Sequence, residues 1–272
     1  LGVIARSDEG EAIGYFAVLK KEDSNIAEVG EAVVSPDFRR QGVMSRMMQQ
    51  LIDMSRKKRL SALFGKAVTI HFVSQKVNAR FGFRTTALML AETTNVVYKG
   101  FDETYPQPVS VVIDFLPINP AGSKAIYPPD RYKEILLGTY NLLGMVVKPK
   151  QPAVHNTLAG KSDVHLNIDY GRSTAQITVS KYGRDFRLVL TEMVRSLEKR
   201  DLNAVYLDLP LENPSTPEQF RHIGPLGFIY CGLAPLFYRE ADFLRLQKVY
   251  VPLDLSLVDV YSEFGKRIKS LV

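Results

Sequence analysis

The sequence predicts a mixed α/β fold built from two similar units, each with a mostly antiparallel central sheet flanked by helices. The first 100 residues begin with strands joined by short turns and then change to a strand–helix–strand order, which indicates a mixed sheet. The same order of elements recurs later, and in each unit a Gly-Phe pair stands between a helix and the next strand, at Gly82-Phe83 and Gly227-Phe228. A hydrophobic content of 46% and a charged content of 24% over 272 residues are typical of a globular protein that buries a core.

The first unit is predicted at residues 1–100. Its turn Asp8-Glu9-Gly10-Glu11 indicates a hairpin between two strands, and apolar residues at helical spacing follow from Val43. The predicted strands lie at residues 2–6, 12–20, 27–34, 60–65, 84–90 and about 94–98, and the predicted helices at 43–57 and about 71–81.

The second unit is predicted at residues 101–272, after a linker at 99–109 that contains two prolines. Its predicted elements are a strand at 110–118, a helix opened by Pro128-Pro129-Asp130, a hairpin of 164–170 with 175–180, a helix at 185–200, a strand at 203–209, a short helix at 216–223 and strands to about 239. The chain ends in a helix with an apolar stripe, which either docks on its own domain or makes an interdomain contact or a contact with a second subunit in a homodimer. We prefer docking on the same domain.

The stretch from Val33 to Ser45 predicts a strand end, a basic turn and a helix start. Several backbone N–H groups at such a helix start have no partner, and the helix dipole adds partial positive charge there. Gly42 lets a ligand approach the backbone, and Arg39 and Arg40 stand beside it. This geometry suits a phosphate or diphosphate, although an ordinary turn with solvated arginines would give the same pattern.

Two motifs in this unit resemble those of the GNAT N-acetyltransferase superfamily. That family's acyl-CoA loop has the pattern Gln/Arg-x-x-Gly-x-Gly/Ala after a strand, and Arg39, Gly42 and Met44 stand at the three defined positions. Met44 departs from the pattern, because a small residue is usual there. Residues 78–83, NARFGF, resemble the family's helix-to-strand turn, which ends in Gly-Phe. The resemblance covers about residues 10–98.

The resemblance implies an acetyl-CoA co-substrate, whose pantetheine arm would lie along the strand before the loop and whose diphosphate would lie at the helix start. The residues expected to hold acetyl-CoA are Val33, Val34, Arg39, Arg40, Gln41, Gly42, Val43, Met44 and Ser45.

The resemblance also points to catalytic positions. Glu28 matches the general base of one branch of the family, and Glu31 is the neighbouring candidate. An ideal strand points these two side chains to opposite faces, and a strand bulge would change that. The alternative to a catalytic role is that both are ordinary solvent-facing carboxylates on a strand. Asn78 stands where many members have a Tyr that protonates the leaving thiolate, so the usual acid is absent from this position.

Two departures from the family bear on the second unit and on the acceptor. The loop before the second unit's helix, Ser180 to Arg184, lacks the acyl-CoA pattern, so we predict that this half does not bind CoA. The family normally has a strand and two helices before the first hairpin, and these help to form the acceptor pocket. Almost nothing precedes Val3 here, so either they are missing from this chain or another segment replaces them.

Composition excludes several other classes. The single cysteine, Cys231, excludes an intrachain disulfide framework and fits a reducing compartment, so we expect a cytoplasmic protein. A net charge of +6 is mild and scattered, so nucleic acid is not an expected partner. No apolar run is long enough to span a membrane, so no membrane partner is expected. The four histidines do not have metal-ligand spacing, so no metal is predicted; they are His71, His155, His165 and His222.

The leading hypothesis is a tandem GNAT-like N-acetyltransferase that transfers acetyl from acetyl-CoA to a primary amine by direct attack in a ternary complex. The acceptor would be a small molecule, a peptide or a protein. Asn78 and the missing N-terminal elements leave open a non-catalytic acyl-CoA-binding or regulatory module. A structural interaction protein built from two degenerate copies is a third hypothesis.

Overall fold

The computed structural model describes residues 1–20, 24–94, 105–120, 122–152 and 158–272. The first half contains β1 (Gly2–Arg6), β2 (Ala12–Lys20), β3 (Ile26–Val34), α1 (Val43–Lys57), β4 (Ala62–Val68), α2 (Val73–Arg80), β5 (Arg84–Thr93) and β6 (Val109–Pro117). The second half contains β7 (Lys124–Ile126), α3 (Lys133–Leu143), β8 (Val147–Pro149), β9 (Asp163–Asp169), β10 (Thr174–Lys181), α4 (Phe186–Glu198), β11 (Ala204–Pro210), α5 (Thr216–Phe220), β12 (Ile229–Tyr238), β13 (Ala241–Val249) and α6 (Glu263–Lys269).

One sheet of eleven strands runs through both halves, in the order β1-β2-β3-β4-β6-β5-β12-β13-β11-β10-β9. The five strands β2-β3-β4-β6-β5 follow the same connectivity as β9-β10-β11-β13-β12, and the two sets run in opposite order away from the β5–β12 contact. Among the described strands, the edge strand β1 has no counterpart in the second set. Two neighbouring pairs in this sheet are parallel, β3 with β4 and β10 with β11, and the others are antiparallel. The predicted mixed, mostly antiparallel α/β fold is therefore confirmed.

The strand β6 pairs with strands of the first half, although it was predicted to belong to the second unit. We predicted it as the first strand of the second unit, but its backbone pairs with β4 on one side and β5 on the other. An apolar strand can pair with any suitable edge, and the sequence does not reveal which edge that is. A limit at residue 100 separates this strand from its partners, so the pairing favours ending the first unit after Pro117.

Two predicted segments lie largely outside the described residues. The predicted strand at about 94–98 lies outside them apart from residue 94, and most of the predicted linker at 99–109 does as well. The hairpins are confirmed: β1 pairs with β2, and β9 pairs with β10 around Gly171-Arg172. Among the described residues, none of the helices is long and apolar enough to cross a membrane.

The helix α1 covers one face of the first half of the sheet, as its apolar spacing predicts. The buried residues of α1 that pack on this face are Val43, Met47, Met48, Leu51 and Ile52. They contact residues of β1 to β4 that point to the same side. The helix α1 does not cover the opposite face of β3 and β4. The second half of the chain approaches the sheet from that face.

The C-terminal helix docks on its own chain. Within α6, Gly265 and Ile268 are buried, and a Cβ added at Gly265 would lie 3.3 Å from Thr85 Cγ2 on β5. Gly138 of α3 leaves room for the ring of Phe264, which would lie 3.4 Å from a Cβ at that position. The helix therefore packs on β5 of the first half as well as on α3 of the second, so docking on its own domain alone is wrong and the interdomain contact is present.

Candidate active site

The parallel strands β3 and β4 separate partway along their length. Ile26 to Glu28 pair with Ala62 to Phe64, and beyond Glu28 the two strands have no further paired residues. A bulge at Glu31, whose φ is 56°, bends β3, and its register with β2 shifts between Tyr15 and Ala17. The result is a gap between β3 and β4 that opens toward the start of α1. We call it the strand gap.

The segment Arg39–Ser45, which we call the corner, lies at the open end of the strand gap. Among the described residues, the backbone N–H groups from Arg40 to Ser45 have no hydrogen-bond partner, and the first helical bond runs from Arg46 N–H to the Gly42 carbonyl. A Cβ added at Gly42 would meet nothing closer than 4.0 Å, so the space over these amides is open. An anion of diphosphate size can therefore reach them.

The backbone of the corner is held in an unusual conformation. Arg40 has φ 63° and Gly42 has φ 77°, and only the second of these is free of a Cβ. The Arg39 side chain fixes the turn, because its Nε donates to the Val34 carbonyl over 3.2 Å. A non-glycine residue in the left-handed region costs free energy, so its presence at a set of open amides is consistent with a functional turn.

The remaining predicted CoA residues divide into exposed and structural ones. Val33 is 58% exposed on β3, and Ser45 and Gln41 are also exposed, with Gln41 Nε2 donating to the Asp37 carbonyl. Val34 and Val43 are buried in the core under α1, and Met44 packs partly against that core. The side chain of Met44 therefore points away from the solvent side of the corner. The larger residue in place of the family's small one is consistent with that packing.

Glu28 lies at the closed end of the strand gap. It is half-buried and points to the sheet face opposite α1, because its neighbour Ala27 belongs to the core under α1. Its carboxylate makes neither a hydrogen bond nor an ion pair with the described residues. Glu31 is exposed on the bulge farther along β3. Of the two candidate bases, Glu28 is the one beside the point where the strands separate.

Asn78 lies on the other side of the sheet, close to the same gap. A Cβ added at Gly65 on β4 would lie 3.2 Å from Asn78 Nδ2 and 3.1 Å from Val29 Cγ2 on β3. Asn78 Nδ2 donates to Asp114 Oδ2 over 3.0 Å, and Thr85 Oγ1 donates to Asp114 Oδ1 over 2.8 Å. Burial raises the pKa of Asp114, partly offset by these two hydrogen bonds. Sequence reasoning missed Asp114, because it lies on a strand far along the chain from Asn78.

A cleft of about 680 Å³ opens on the Glu28 side of the sheet, between the two halves of the molecule. Its first-half wall comes from β2 to β5 and its second-half wall from β9 to β13. Charged residues that line it include Glu28, Lys66, Glu92, Arg172, Asp208 and Arg245. Apart from Glu28, sequence reasoning missed all of these, because they are scattered over the chain and form no local pattern.

Two ion-pair groups organise the charges in this cleft. Glu92 is buried, and its Oε1 accepts from Lys66 Nζ and from Arg172 Nη1, each over 2.7 Å. Asp208 accepts two bonds of 2.7 Å from the guanidinium of Arg245, and both residues are buried. Although burial opposes it, the Asp208 carboxylate raises the pKa of Arg245. The first group links the two halves, because Arg172 belongs to the β9–β10 turn.

The equivalent corner of the second half is covered. A Cβ at Gly183 would lie 2.3 Å from the backbone of Lys161 and Ser162, so that segment rests directly on the start of α4. Asp185 occupies the helix start, and hydrogen bonds from the backbone and side chain of Ser162 lower its pKa. A resident carboxylate and a covering chain leave no room for a second anion. The second half therefore lacks the open amides of the corner, and its failure to bind CoA stays a prediction.

The described histidines and the cysteine have surroundings that can be compared with those of a metal site. Across the described ranges, no group of three or more His, Cys, Asp or Glu residues is arranged to hold a metal ion. His165 contacts Asp163 and Tyr238, and His71 Nδ1 is buried without a partner among the residues described. His155 lies outside the described residues. Cys231 is buried, and burial raises the pKa of its thiol.

Comparison with solved structures gives matches of low similarity. The ribosomal-protein-S18-alanine N-acetyltransferase from Escherichia coli is 20% identical, with 45% of this chain and 71% of that chain covered and a TM-score of 0.37. An IAA acetyltransferase from Bacillus cereus is 12% identical, with 43% and 77% covered and a TM-score of 0.37. A GNAT superfamily phosphinothricin acetyltransferase from Sinorhizobium meliloti, solved in complex with AcCoA, is 18% identical, with 43% and 60% covered and a TM-score of 0.35.

Comparison with protein families gives a match to the N-terminal part of the chain. No curated protein matches the sequence. The model of the acetyltransferase (GNAT) family matches residues 1–83. This range contains the strand gap, the corner and Asn78. The N-terminal region of the chain is therefore similar to the acetyltransferase (GNAT) family.

Proposed function

We propose that this protein transfers an acetyl group from acetyl-CoA to a primary amine, by direct attack in a ternary complex. The observation that carries the proposal is the row of open backbone amides from Arg40 to Ser45 at the mouth of the strand gap. The diphosphate of CoA would accept hydrogen bonds from these amides, and Arg40 would add positive charge. The pantetheine arm would follow Val33 and Val34 into the gap.

The reaction requires the amine to reach the thioester from the cleft side. An amine arrives protonated near neutral pH, so it must first lose one proton. Its nitrogen then attacks the thioester carbonyl carbon, a C–N bond forms, and the C–S bond breaks to release the CoA thiolate. The nitrogen loses a second proton and the thiolate gains one. The products are an N-acetyl amine, CoA thiol and one released proton.

Glu28 is the residue we propose as general base. It lies where β3 and β4 separate, it lines the cleft, and its carboxylate is not engaged by any described side chain. A free carboxylate in this place can accept the proton of the incoming ammonium directly or through one water. Glu31 lies farther along β3 on the exposed bulge, which favours Glu28 of the two.

Asn78 is proposed to act on the opposite side of the sheet. Its amide lies beside Gly65 and Val29, which border the strand gap, and it is oriented by Asp114. An amide can hydrogen-bond a developing thiolate, but it cannot supply a proton as a Tyr can. The proton would then come from water.

The alternative is a non-catalytic acyl-CoA-binding or regulatory module. The same Asn78 favours it, since the position lacks the acid that many members of the family use. Both functions require CoA at the corner, and they differ in whether an amine is consumed. A thiol-release assay with a panel of amines separates them, because the binding module would retain affinity for acetyl-CoA without releasing thiol.

The CoA site is tested by calorimetric titration of acetyl-CoA into Gly42→Glu. We expect its affinity to fall by about 100-fold or more, because a carboxylate would stand among the amides that hold the diphosphate. Gly10→Glu is the matched control: Gly10 also has a positive φ, 89°, and open space around it, but it lies in the β1–β2 turn. The control should bind as the wild type does. Equal affinity of Gly42→Glu and the wild type would contradict the site.

A further inference from the structure

The cleft carries a pattern of charge that bears on which amine it admits. Its described lining has carboxylates and Lys or Arg cations in equal number, but they are distributed unevenly. Asp208 and Arg245 neutralise each other through two hydrogen bonds and are buried. Among the described residues, Glu28 keeps a carboxylate without a partner, and Lys20 lies near it at the end of β2. The other charges are Lys66 and Arg172 around Glu92, which we call the cationic group, with Asp169 beside Arg172.

Lys66 and Arg172 have N–H groups that are not bonded to Glu92. Two cations, Lys66 and Arg172, share a single oxygen of Glu92, and Glu92 is only 6% exposed in its side chain while they are 24% and 43% exposed. Asp169 lies at the rim, 3.7 Å from Arg172 Nε, and is 45% exposed, so solvent screens its contribution. The solvent-facing donors of Lys66 and Arg172 can therefore bind an oxygen anion.

An unpartnered amide lies on the facing wall of the cleft. Gln176 Nε2 is buried and has no hydrogen-bond partner among the described residues, although Gln176 lines the cleft. Gln176 lies on β10, which follows the turn that carries Arg172. A buried donor without a partner is costly, so a turn of the Gln176 side chain toward the cleft, where a ligand oxygen can accept from it, would be favoured. The donors of Lys66, Arg172 and Gln176 thus line one cleft.

Glu28 and Lys66 share one face of the sheet at a distance that suits a small molecule. Glu28 pairs with Phe64, and Lys66 is two residues farther along β4 on the same face. Strand spacing and rise put their backbone positions roughly 8 Å apart. A molecule with an amine at one end and an anionic group at the other would fit between the carboxylate and the cations.

We infer that the acceptor is an amino carboxylate, whose amine is presented to Glu28 and whose carboxylate binds Lys66, Arg172 and the Gln176 amide. This inference rests on the proposed transfer reaction. It names the substrate class of that same site. The carboxylate would accept charge-assisted hydrogen bonds from both cations, which places the amine at the strand gap.

The test compares matched pairs of amines that differ only in the carboxylate. The pairs are phenylalanine with phenethylamine, lysine with cadaverine, and 4-aminobutyrate with propylamine, each assayed by thiol release from acetyl-CoA. We expect at least one amino carboxylate to be acetylated with a kcat/KM about tenfold or more above that of its decarboxylated partner.

Variants of the cationic group should move the KM in opposite directions. Lys66→Met and Arg172→Met should raise the KM for the preferred amino carboxylate about tenfold or more and leave that of its decarboxylated partner unchanged. Glu92→Gln should lower the KM for the preferred amino carboxylate, because Lys66 and Arg172 lose the carboxylate that neutralises them. Lys248→Met is the matched control: it also removes a Lys–Glu pair, with 20% exposure of the Lys side chain, and Lys248 does not line the cleft.

The outcomes distinguish this inference from the function on which it rests. If acetyl-CoA does not bind, the proposed function fails and the inference with it. If acetyl-CoA binds and the decarboxylated amines react as well as the amino carboxylates, or no amino carboxylate reacts, the inference alone is overturned. Equal effects of Lys66→Met on both members of a pair would also overturn it, since a purely structural role predicts that result.

Discussion

Asn78 and Asp114 form a buried amide–carboxylate pair beside the strand gap. Each oxygen of Asp114 accepts one hydrogen bond, from Asn78 and from Thr85, and Ser262 Oγ donates to Thr85. The pair holds the Asn78 side chain in one orientation. Burial raises the pKa of Asp114 despite these hydrogen bonds, so the carboxyl that orients Asn78 also makes the stability of the fold depend on pH.

Replacement of Asp114 by Asn should show this dependence. Between the ordinary pKa of an Asp and the raised pKa of Asp114, the folded protein holds a proton that the unfolded chain has released. The free energy of unfolding of the wild type therefore decreases as the pH rises through this interval. Asp114→Asn lacks the carboxyl, so its free energy of unfolding should gain on that of the wild type as the pH rises. Denaturant titrations at several pH values from about 3.5 upward measure it.

The control for this measurement is Asp185→Asn. Hydrogen bonds from Ser162 lower the pKa of Asp185, so its carboxylate stabilises the fold above the ordinary pKa of an Asp and that contribution is lost as the pH falls. Asp185→Asn should therefore lose stability relative to the wild type as the pH rises, the opposite trend. Parallel pH profiles for the two variants would contradict the assignment of Asp114.

The contact between β5 and β12 depends on one glycine and on side chains that replace a regular ladder. The two strands share a single backbone pair, Gly232 with Ala87. Gln247 of β13 fills in: its Oε1 accepts from Leu90 N–H, and its Nε2 donates to the Leu88 carbonyl. Tyr206 of β11 donates to the Leu90 carbonyl. The halves are therefore joined by side-chain hydrogen bonds to the backbone of one strand.

Gly232→Ala should destabilise the protein through this contact. A Cβ there would lie 2.3 Å from the Thr86 carbonyl oxygen and 2.4 Å from Ala87, so the strands must move apart, and a φ of 154° adds strain. We expect a loss of about 2 kcal/mol or more in the free energy of unfolding, measured by denaturant titration. Gly224→Ala, which has open space around it, should change it by under about 1 kcal/mol. A loss equal to that control would show that the contact yields easily.

The two halves bury one another in a shared core. Leu88, Leu90, Val112 and Phe115 of the first half belong to the same buried cluster as residues of β10 to β13. The β5 edge has no other strand to cover it on the side of β12. The first half alone would expose this apolar edge, together with backbone groups that Gln247 and Tyr206 now satisfy.

We therefore expect residues 1–118 expressed alone to lack cooperative unfolding. Thermal melting followed by circular dichroism should show no sharp transition, whereas the chain of residues 1–272 should unfold cooperatively. A fragment that melts sharply, as a monomer, would show that the first half is an independent domain despite the shared core.

Local chemistry made the corner predictable, and non-local pairing hid the rest. The turn, the glycine and the helix start of Arg39–Ser45 are consecutive residues, so their conformation could be read from the sequence. The strands that pair with β6 could not be read from the sequence, because the residues of an apolar strand do not identify its neighbours in a sheet. Likewise Lys66, Glu92 and Arg172 meet only after the whole sheet has formed, so no spacing in the sequence announces the cleft that they line.

The cover over the start of α4 has a consequence for how such a chain can change. Lys161 and Ser162 pack on Gly183 and cover the start of α4, whereas β9 to β13 of the second half still line the cleft. The chain therefore resembles a dimer of two unlike subunits fused into one polypeptide. In this arrangement the first half would hold acetyl-CoA and the second half would line the acceptor side of the cleft. Substitutions on that second wall can accumulate without disturbing the geometry of the donor, which leaves selectivity and chemistry free to diverge separately.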